Sequence, residues 1–329
     1  MHPDAAATAD RYARFAVTEA RGRSALYEDW AAGVAGDAPT AAILARIPET
    51  RRQPPLVFAV ARMLGAPEKP FAEWSAWVAE HADDLVAEAS RRRLQTNEPL
   101  RCAALLPALS TIDGPIALVE VGASAGLCLY PDRYSYRYDG GPDLDPSEGE
   151  SAVVLASALN GGPPLRLPEI VWRAGIDLDP KDAAHPADRR FLTALVWPGE
   201  TGRAERITAA LDIVAADPPL LVRGDATEPG VLEGVVRRAP EGARVVVTTP
   251  GVLPHIPRRG LDRLIEIVQR LEAVWVTIDP PGLHDAWHPP IDPATWGGFV
   301  LGRDGVPLAA VDPLGRSVEW RAGAAAPAR

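Results

Sequence analysis

The hydrophobic positions of the chain fall into two regimes. From residue 5 to about 112 they recur every three or four residues, the period of amphipathic helices. Tyr12, Phe15 and Ala16 mark one helix, and Leu26, Tyr27, Trp30 and Val34 mark the next. Asp37 with Pro39 starts a third, carrying Ile43, Leu44 and Ile47. Pro54-Pro55 opens a fourth through Leu56, Val57, Val60 and Leu64, and Gly65 stops it. Phe71, Trp74, Trp77 and Val78 mark a fifth, with His81 near its boundary as a surface residue or cap. Leu85, Val86 and Leu94 continue the helical pattern. Tryptophans at helical spacing read as core, with ligand contact as the alternative. No alternating β-branched run interrupts this region, so residues 1–112 are expected to form an all-helical N-terminal cap.

Past residue 113 the period changes. Ile116–Leu129 reads as a buried strand, a tight glycine turn and the start of a helix that Pro131 cuts short. Tyr134, Tyr136 and Tyr138 then alternate with Ser135, Arg137 and Asp139, which predicts a strand. Ser151–Ala156 is read as its partner, giving an inserted hairpin at about 130–165. Four of the six tyrosines lie in this short span, either as one packed face or as an aromatic wall over a substrate. Further strands are expected at Glu169–Asp177, Pro219–Asp225, Ala243–Thr249 and Val274–Asp279, separated by helices through Phe191, Ile207, Val231 and Leu261. Phe299–Asp312 reads as a hairpin turning at Asp304-Gly305, Ser317–Trp320 as one more short strand, and Ala322–Arg329 as a disordered tail. The sum is an α/β chain in which residues 113–329 form a mostly parallel, Rossmann-like sheet ending in an antiparallel hairpin.

Composition narrows the partners. The net charge of -10 argues against nucleic acid, which needs clustered positive charge. The run Arg91-Arg92-Arg93 is read as a solvated helix face. No apolar run reaches the ~18 residues of a membrane span, and the start of the chain lacks an apolar signal core. Cys102 and Cys128 have no metal-ligand spacing and make no disulfide framework. A cytoplasmic protein acting on a small molecule, without a metal, is therefore expected. Lys69 and Lys181 are the only lysines, which leaves arginine to handle anions.

The glycine turn carries two chemistries. Glu120-x-Gly122-x-x-x-Gly126 suits a nucleotide-type cofactor such as S-adenosylmethionine, because glycines permit a tight turn and close backbone approach. The next two strands end in Asp177 and in Asp225-Ala226, carboxylates placed for ribose hydroxyls and an exocyclic amine. The same stretch spells Gly-x-Ser124-x-Gly, a hydrolase nucleophile elbow. A triad would draw on Asp225 or Asp279, then His284 or His288. Against the elbow, only helices precede it, and Glu120 and Asp177 are left without a role. A nicotinamide dehydrogenase is weaker still, with no Gly-x-Gly-x-x-Gly and no Tyr-x-x-x-Lys. Upstream, Gln95–Arg101 is polar and leads into the helix before the glycine strand. It is read either as a cap, with Thr96 at the N-cap and Pro99 in the first turn, or as a site lined by Asn97, Glu98 and Arg101.

These residues carry a resemblance. The C-terminal two-thirds is similar to class I S-adenosylmethionine-dependent methyltransferases, terminal hairpin included. Nearly the whole chain resembles a bacterial domain-of-unknown-function family, number 2332 in its series. The matching segments are Gln95–Pro99, Leu105–Pro107, Glu120–Leu127, Asp132–Tyr134, Val171–Leu178, Leu195–Pro198 and Leu221–Asp225. The resemblance implies a sheet of methyltransferase type holding S-adenosylmethionine with Glu120, Gly122, Ser124, Gly126, Asp177, Asp225 and Ala226. On the methyltransferase reading, Asn97, Arg101, Tyr134 and Thr249 are expected on the substrate side, with Glu98 or His255 as a general base. Two positions depart from the family pattern: Cys128 stands where Asn is usual, and Thr249-Pro250 where a His-Ser pair is expected. A non-catalytic binder of S-adenosylmethionine or a nucleotide, and the Ser124 hydrolase, are the alternatives to a methyltransferase.

Overall fold

The computed structural model describes residues 3–285 and 287–321. The expected disordered tail lies outside the described residues. Two compact units emerge, Met1–Thr96 with His185–Thr208, and Asn97–Ala184 with Ala209–Arg329.

The first unit is helical. It contains α1 (Pro3–Phe15), α2 (Ala25–Gly36), α3 (Ala38–Leu44), α4 (Pro54–Met63), α5 (Phe71–Glu80) and α6 (Ala82–Arg91). Asp37 caps α3, its carboxylate accepting from Thr40 N at 2.9 Å, and Pro54 and Pro55 open α4. The helix-spaced aromatics form the core. Trp30 and Trp74 are fully buried and stacked at 4.9 Å, and Phe58 meets both edge-on at 5.4 Å. His81 sits between α5 and α6, stacked on Trp77 at 4.4 Å. α6 stops at Arg91, so Leu94 lies in a non-helical segment and is 42% exposed. The returning segment adds α8 (Pro186–Ala194), which follows α7 (Arg101–Leu109) of the second unit in chain order. Arg62 ties it down, donating to Ala194 O at 2.9 Å and Val196 O at 2.8 Å.

The second unit holds α7 (Arg101–Leu109) and an eleven-stranded sheet. Its strands are β1 (Ile116–Val121), β2 (Ser135–Asp139), β3 (Asp143–Leu144), β4 (Val154–Asn160), β5 (Ile170–Asp177), β6 (Leu220–Arg223), β7 (Arg244–Pro250), β8 (Val274–Asp279), β9 (Phe299–Arg303), β10 (Val306–Val311) and β11 (Ser317–Trp320). The order is β3-β2-β4-β11-β10-β9-β8-β7-β1-β5-β6. Strands β8, β7, β1, β5 and β6 run parallel, while β8-β9-β10-β11 alternate in direction. The fold is thus α/β, with a large mixed sheet of mostly parallel strands and an N-terminal helical region. Helices α9 (Arg203–Ala216), α10 (Val231–Val236) and α11 (Arg258–Arg270) supply the crossovers. All six residues of β1 are buried, as a central parallel strand requires. One sheet face packs Val119, Val121, Val247 and Trp275 against Leu232, Leu261 and Leu264.

Three local expectations shift. The tyrosine strand β2 pairs in parallel with β4, and β4 in parallel with β11, so both extend the main sheet. β4 starts at Val154, because the Ser151 hydroxyl accepts from Val153 N at 3.1 Å and turns the chain there. α7 begins at Arg101, not after Thr96: the Glu98 carboxylate takes the Leu100 N–H at 3.0 Å and holds the preceding residues in a turn. At the terminal hairpin, Asp304 and Gly305 both adopt positive φ, 52° and 80°, as a two-residue primed turn demands.

Candidate functional site

In the parallel block, chain order counted from β1 is β6-β5-β1-β7-β8, that is, 3-2-1-4-5. The connections leave β1 to one side for β5 and return to the other for β7. That reversal makes the carboxyl ends of β1 and β7 the place where open α/β sheets hold ligands. Every cofactor-side residue expected from the sequence lies on or just beyond the carboxyl ends of β1, β5 and β6.

The turn after β1 is tight. Gly122, Ser124 and Gly126 have φ of 77°, 50° and 79°. The two glycines are also demanded by close approach. A Cβ on Gly122 would lie 2.5 Å from Val252 Cγ2, and one on Gly126 would lie 3.1 Å from Pro219. Most of the turn's N–H groups are spent inside the protein. Gly122 N donates to Ile176 O at 2.8 Å, Ala123 N to the same oxygen at 3.3 Å, and Gly126 N to Ala123 O at 2.6 Å. Ser124 N donates to Asp177 Oδ2 at 2.8 Å, and Asp177 Oδ1 accepts from Asp179 N at 2.7 Å. Asp177 therefore fastens the glycine turn to the end of β5. Asp225 forms a similar turn of its own, accepting from Thr227 N at 2.9 Å, with Ala226 buried behind it.

A second group converges on Arg101, the first residue of α7. Its Nε donates to Pro313 O at 3.0 Å, and Gly251, with φ of 72°, stands so close that a Cβ there would come within 3.0 Å of Nη2. The Arg101 charge acts on Glu120, on Asp279 at the end of β8, and on His255. Glu120 is 4% exposed and Asp279 fully buried. Burial holds both carboxyls well above their ordinary range; Cys128 and Asp177 push Glu120 further up, and Arg101 opposes the rise at both. Glu120 Oε2, Asp279 Oδ1 and Asn97 Nδ2 are buried without a hydrogen-bond partner among the described residues. Such an atom costs about 1–3 kcal/mol when left unmatched, so three in one unit call for an explanation. His255 is exposed, and partial desolvation and the Arg101 charge hold its imidazole below the ordinary value.

The other candidates are placed differently. Tyr134 is fully buried, and its hydroxyl donates to Leu127 O at 2.7 Å. Thr249 is fully buried and accepts from the Trp275 indole at 3.0 Å. Glu98, 2% exposed, holds Leu100 N, and its own carbonyl accepts from the Cys128 thiol at 3.5 Å. Ser124 is buried at 4% exposure. His284 is buried against Trp287 with ring centroids 4.5 Å apart. Sequence reasoning placed Asp279 only as a triad acid. The signal for its position here was present: it ends a strand, as Asp177 and Asp225 do. A cavity of about 470 Å³ lies at the opposite, amino edge, between Asp113–Pro115 and Gly242–Val245. Its Asp113 is exposed and paired with Arg166, so it has the character of a surface groove.

No helix among the described residues is long and apolar enough to cross a membrane. A family model described as an uncharacterized protein conserved in bacteria, DUF2332, matches residues 9–320, and the chain belongs to that family. No curated protein matches it, and no solved structure does.

Proposed function

We propose that this member of the bacterial family is a methyltransferase, with a sheet of methyltransferase type, that uses S-adenosylmethionine and a small-molecule acceptor. The observation that carries this reading is Glu120 Oε2. It is a buried, unmatched carboxylate oxygen beside a glycine turn, at the point where the strand order reverses. A cationic amino group arriving there would match it and favour its ionised form. The remaining groups fit a nucleoside. Each oxygen of Asp177 gives one lone pair to the turn and keeps another for a ribose hydroxyl. The half-buried Asp225 retains Oδ2 for an exocyclic amine. Gly122, Ser124, Gly126 and Ala226 form the backbone wall between them.

The sulfonium supplies an already activated methyl group, so the protein's task is mainly positioning. His255 is neutral at neutral pH, which suits it to accept a proton from an acceptor hydroxyl or amine. Glu98 acts by shaping the turn that presents Asn97 and Arg101. Isothermal titration with S-adenosylmethionine and with its demethylated product tests the reading. Saturable binding, weakened at least tenfold in Glu120→Gln, is expected. The absence of heat up to millimolar ligand would sink it.

A second reading rests on Ser124, whose φ of 50° gives it the strained backbone of a nucleophile elbow. Covalent labelling by a fluorophosphonate that vanishes in Ser124→Ala would put a hydrolase in place of the methyltransferase.

A further inference from the structure

Arg101 breaks a local rule. It is a cation at the first position of a helix, where the macrodipole disfavours positive charge. Among the described residues, the one hydrogen bond from its side chain runs from Nε to a backbone carbonyl, and no carboxylate lies within ion-pair distance of it. Nη1 and Nη2 thus have no acceptor in the described protein, although the side chain is half-buried and held in place. Gly251 lies against the guanidinium, and its positive φ and the 3.0 Å that a Cβ would leave keep a larger side chain away.

The acids around it do not act as counter-ions. Asp279 is fully buried, accepts from the Thr277 hydroxyl through Oδ2, and has no partner for Oδ1 among the described residues. Burial favours the protonated form of Asp279, and of Glu120 for the same reason. Desolvation and the Arg101 charge favour the neutral imidazole of His255. Arg101 thus presents an unpaired positive fork among groups that disfavour a charge of their own.

We infer that Arg101 binds a single carboxylate of the acceptor, so that the substrate class is small monocarboxylic acids. A planar carboxylate matches the two parallel N–H bonds that Nη1 and Nη2 can give. A phosphate dianion would bring two charges to one cation and sit close to two buried acids, which disfavours it. This inference rests on the carboxyl edge being a small-molecule site, and its test separates from the cofactor test.

The full-length protein and its Arg101→Gln and Arg101→Lys variants are titrated with a panel of monocarboxylates from acetate to benzoate, with inorganic phosphate, and separately with S-adenosylmethionine. At least one monocarboxylate is expected to saturate the wild type, to bind at least tenfold more weakly to Arg101→Gln, and several-fold more weakly to Arg101→Lys, which keeps charge but loses the fork. Cofactor affinity is expected to stay within twofold in Arg101→Lys, which keeps the positive charge near Glu120. If circular dichroism shows Arg101→Gln unfolded, Arg101→Lys carries the comparison. Equal carboxylate affinity in wild type and folded variant overturns the inference, and so does failure of every monocarboxylate to bind the wild type. Phosphate binding more tightly than every carboxylate overturns the assigned class. Arg101-dependent carboxylate binding without cofactor binding upholds the inference while the cofactor reading fails.

Discussion

Arg173 and Arg101 belong to the same unit, and their surroundings differ in one respect. Arg173 is 9% exposed and ion-paired: Nη2 pairs with Asp132 Oδ2 at 2.7 Å, Nη1 donates to Leu129 O at 3.2 Å, and the guanidinium lies over the Tyr130 ring at 4.6 Å. Arg62 of the helical unit is likewise held, by Glu68, the Tyr27 hydroxyl and two carbonyls. Among the described residues Arg101 has one backbone partner and no carboxylate. Both regions contain an unmatched buried carboxylate oxygen, Asp132 Oδ1 in one, Glu120 Oε2 and Asp279 Oδ1 in the other. Buried acids therefore do not distinguish the regions; the state of the arginine does. A guanidinium paired with a carboxylate and carbonyls of its own chain is holding the fold together. One that is oriented but unsatisfied is placed for something outside the chain.

Removing each cation sharpens that contrast, and Arg173→Ala should have the largest effect. It leaves Asp132 with only the more distant Arg133, whose Nε is 3.8 Å from Oδ2, and strips the cover from Tyr130. A loss of about 3–5 kcal/mol is expected in urea unfolding. A loss below 1 kcal/mol would mean that the ion-paired Arg173 is no more structural than Arg101.

Glu120→Gln should act in the opposite direction. The folded state holds the Glu120 proton above the ordinary carboxylate range, whereas the unfolded chain releases it near pH 4.3. The folded state thus binds more protons over that interval, so wild-type stability falls as pH rises through it. Gln carries no such cost. The ligand-free variant is expected to match the wild type near pH 4 and to exceed it by about 1–3 kcal/mol at pH 8. Asp279 titrates with the same sign in both proteins and cancels in the difference. Thermal melts across this range check the trend, and a variant that is less stable at pH 8 would break it.

Arg101→Gln should change stability least. The bond to Pro313 O is lost, at about 0.5–1.5 kcal/mol, while an unfavourable charge leaves the helix N-terminus, at about 0.3–1 kcal/mol. A net change under about 1 kcal/mol is expected in the same urea experiment. A loss as large as that of Arg173→Ala would make Arg101 a structural residue and erase the contrast.

The sequence by itself determined the local elements. Three- and four-residue spacing gave the helices around Tyr12, Trp30, Leu56 and Trp74. Unbroken β-branched runs gave the buried parallel strands, and Asp304-Gly305 gave the primed turn. Each depends on interactions a few residues apart. The glycine turn was legible for the same reason, since positive φ at Gly122 and Gly126 is a local demand. The tertiary structure decided what those elements meet. No local signal marks 185–208 as part of the helical unit, or joins β2 and β4 to the sheet through β11. Nor does the sequence reveal that Val252 closes over Gly122, or that Asp177 spends both oxygens on backbone N–H groups. The candidate site divides along the same line. Glu120, Asp177 and Asp225 could be picked out because strand ends are readable. That Arg101 lacks a counter-ion while Arg173 has one depends on which distant residues fold against each, and a chain of letters carries no distance.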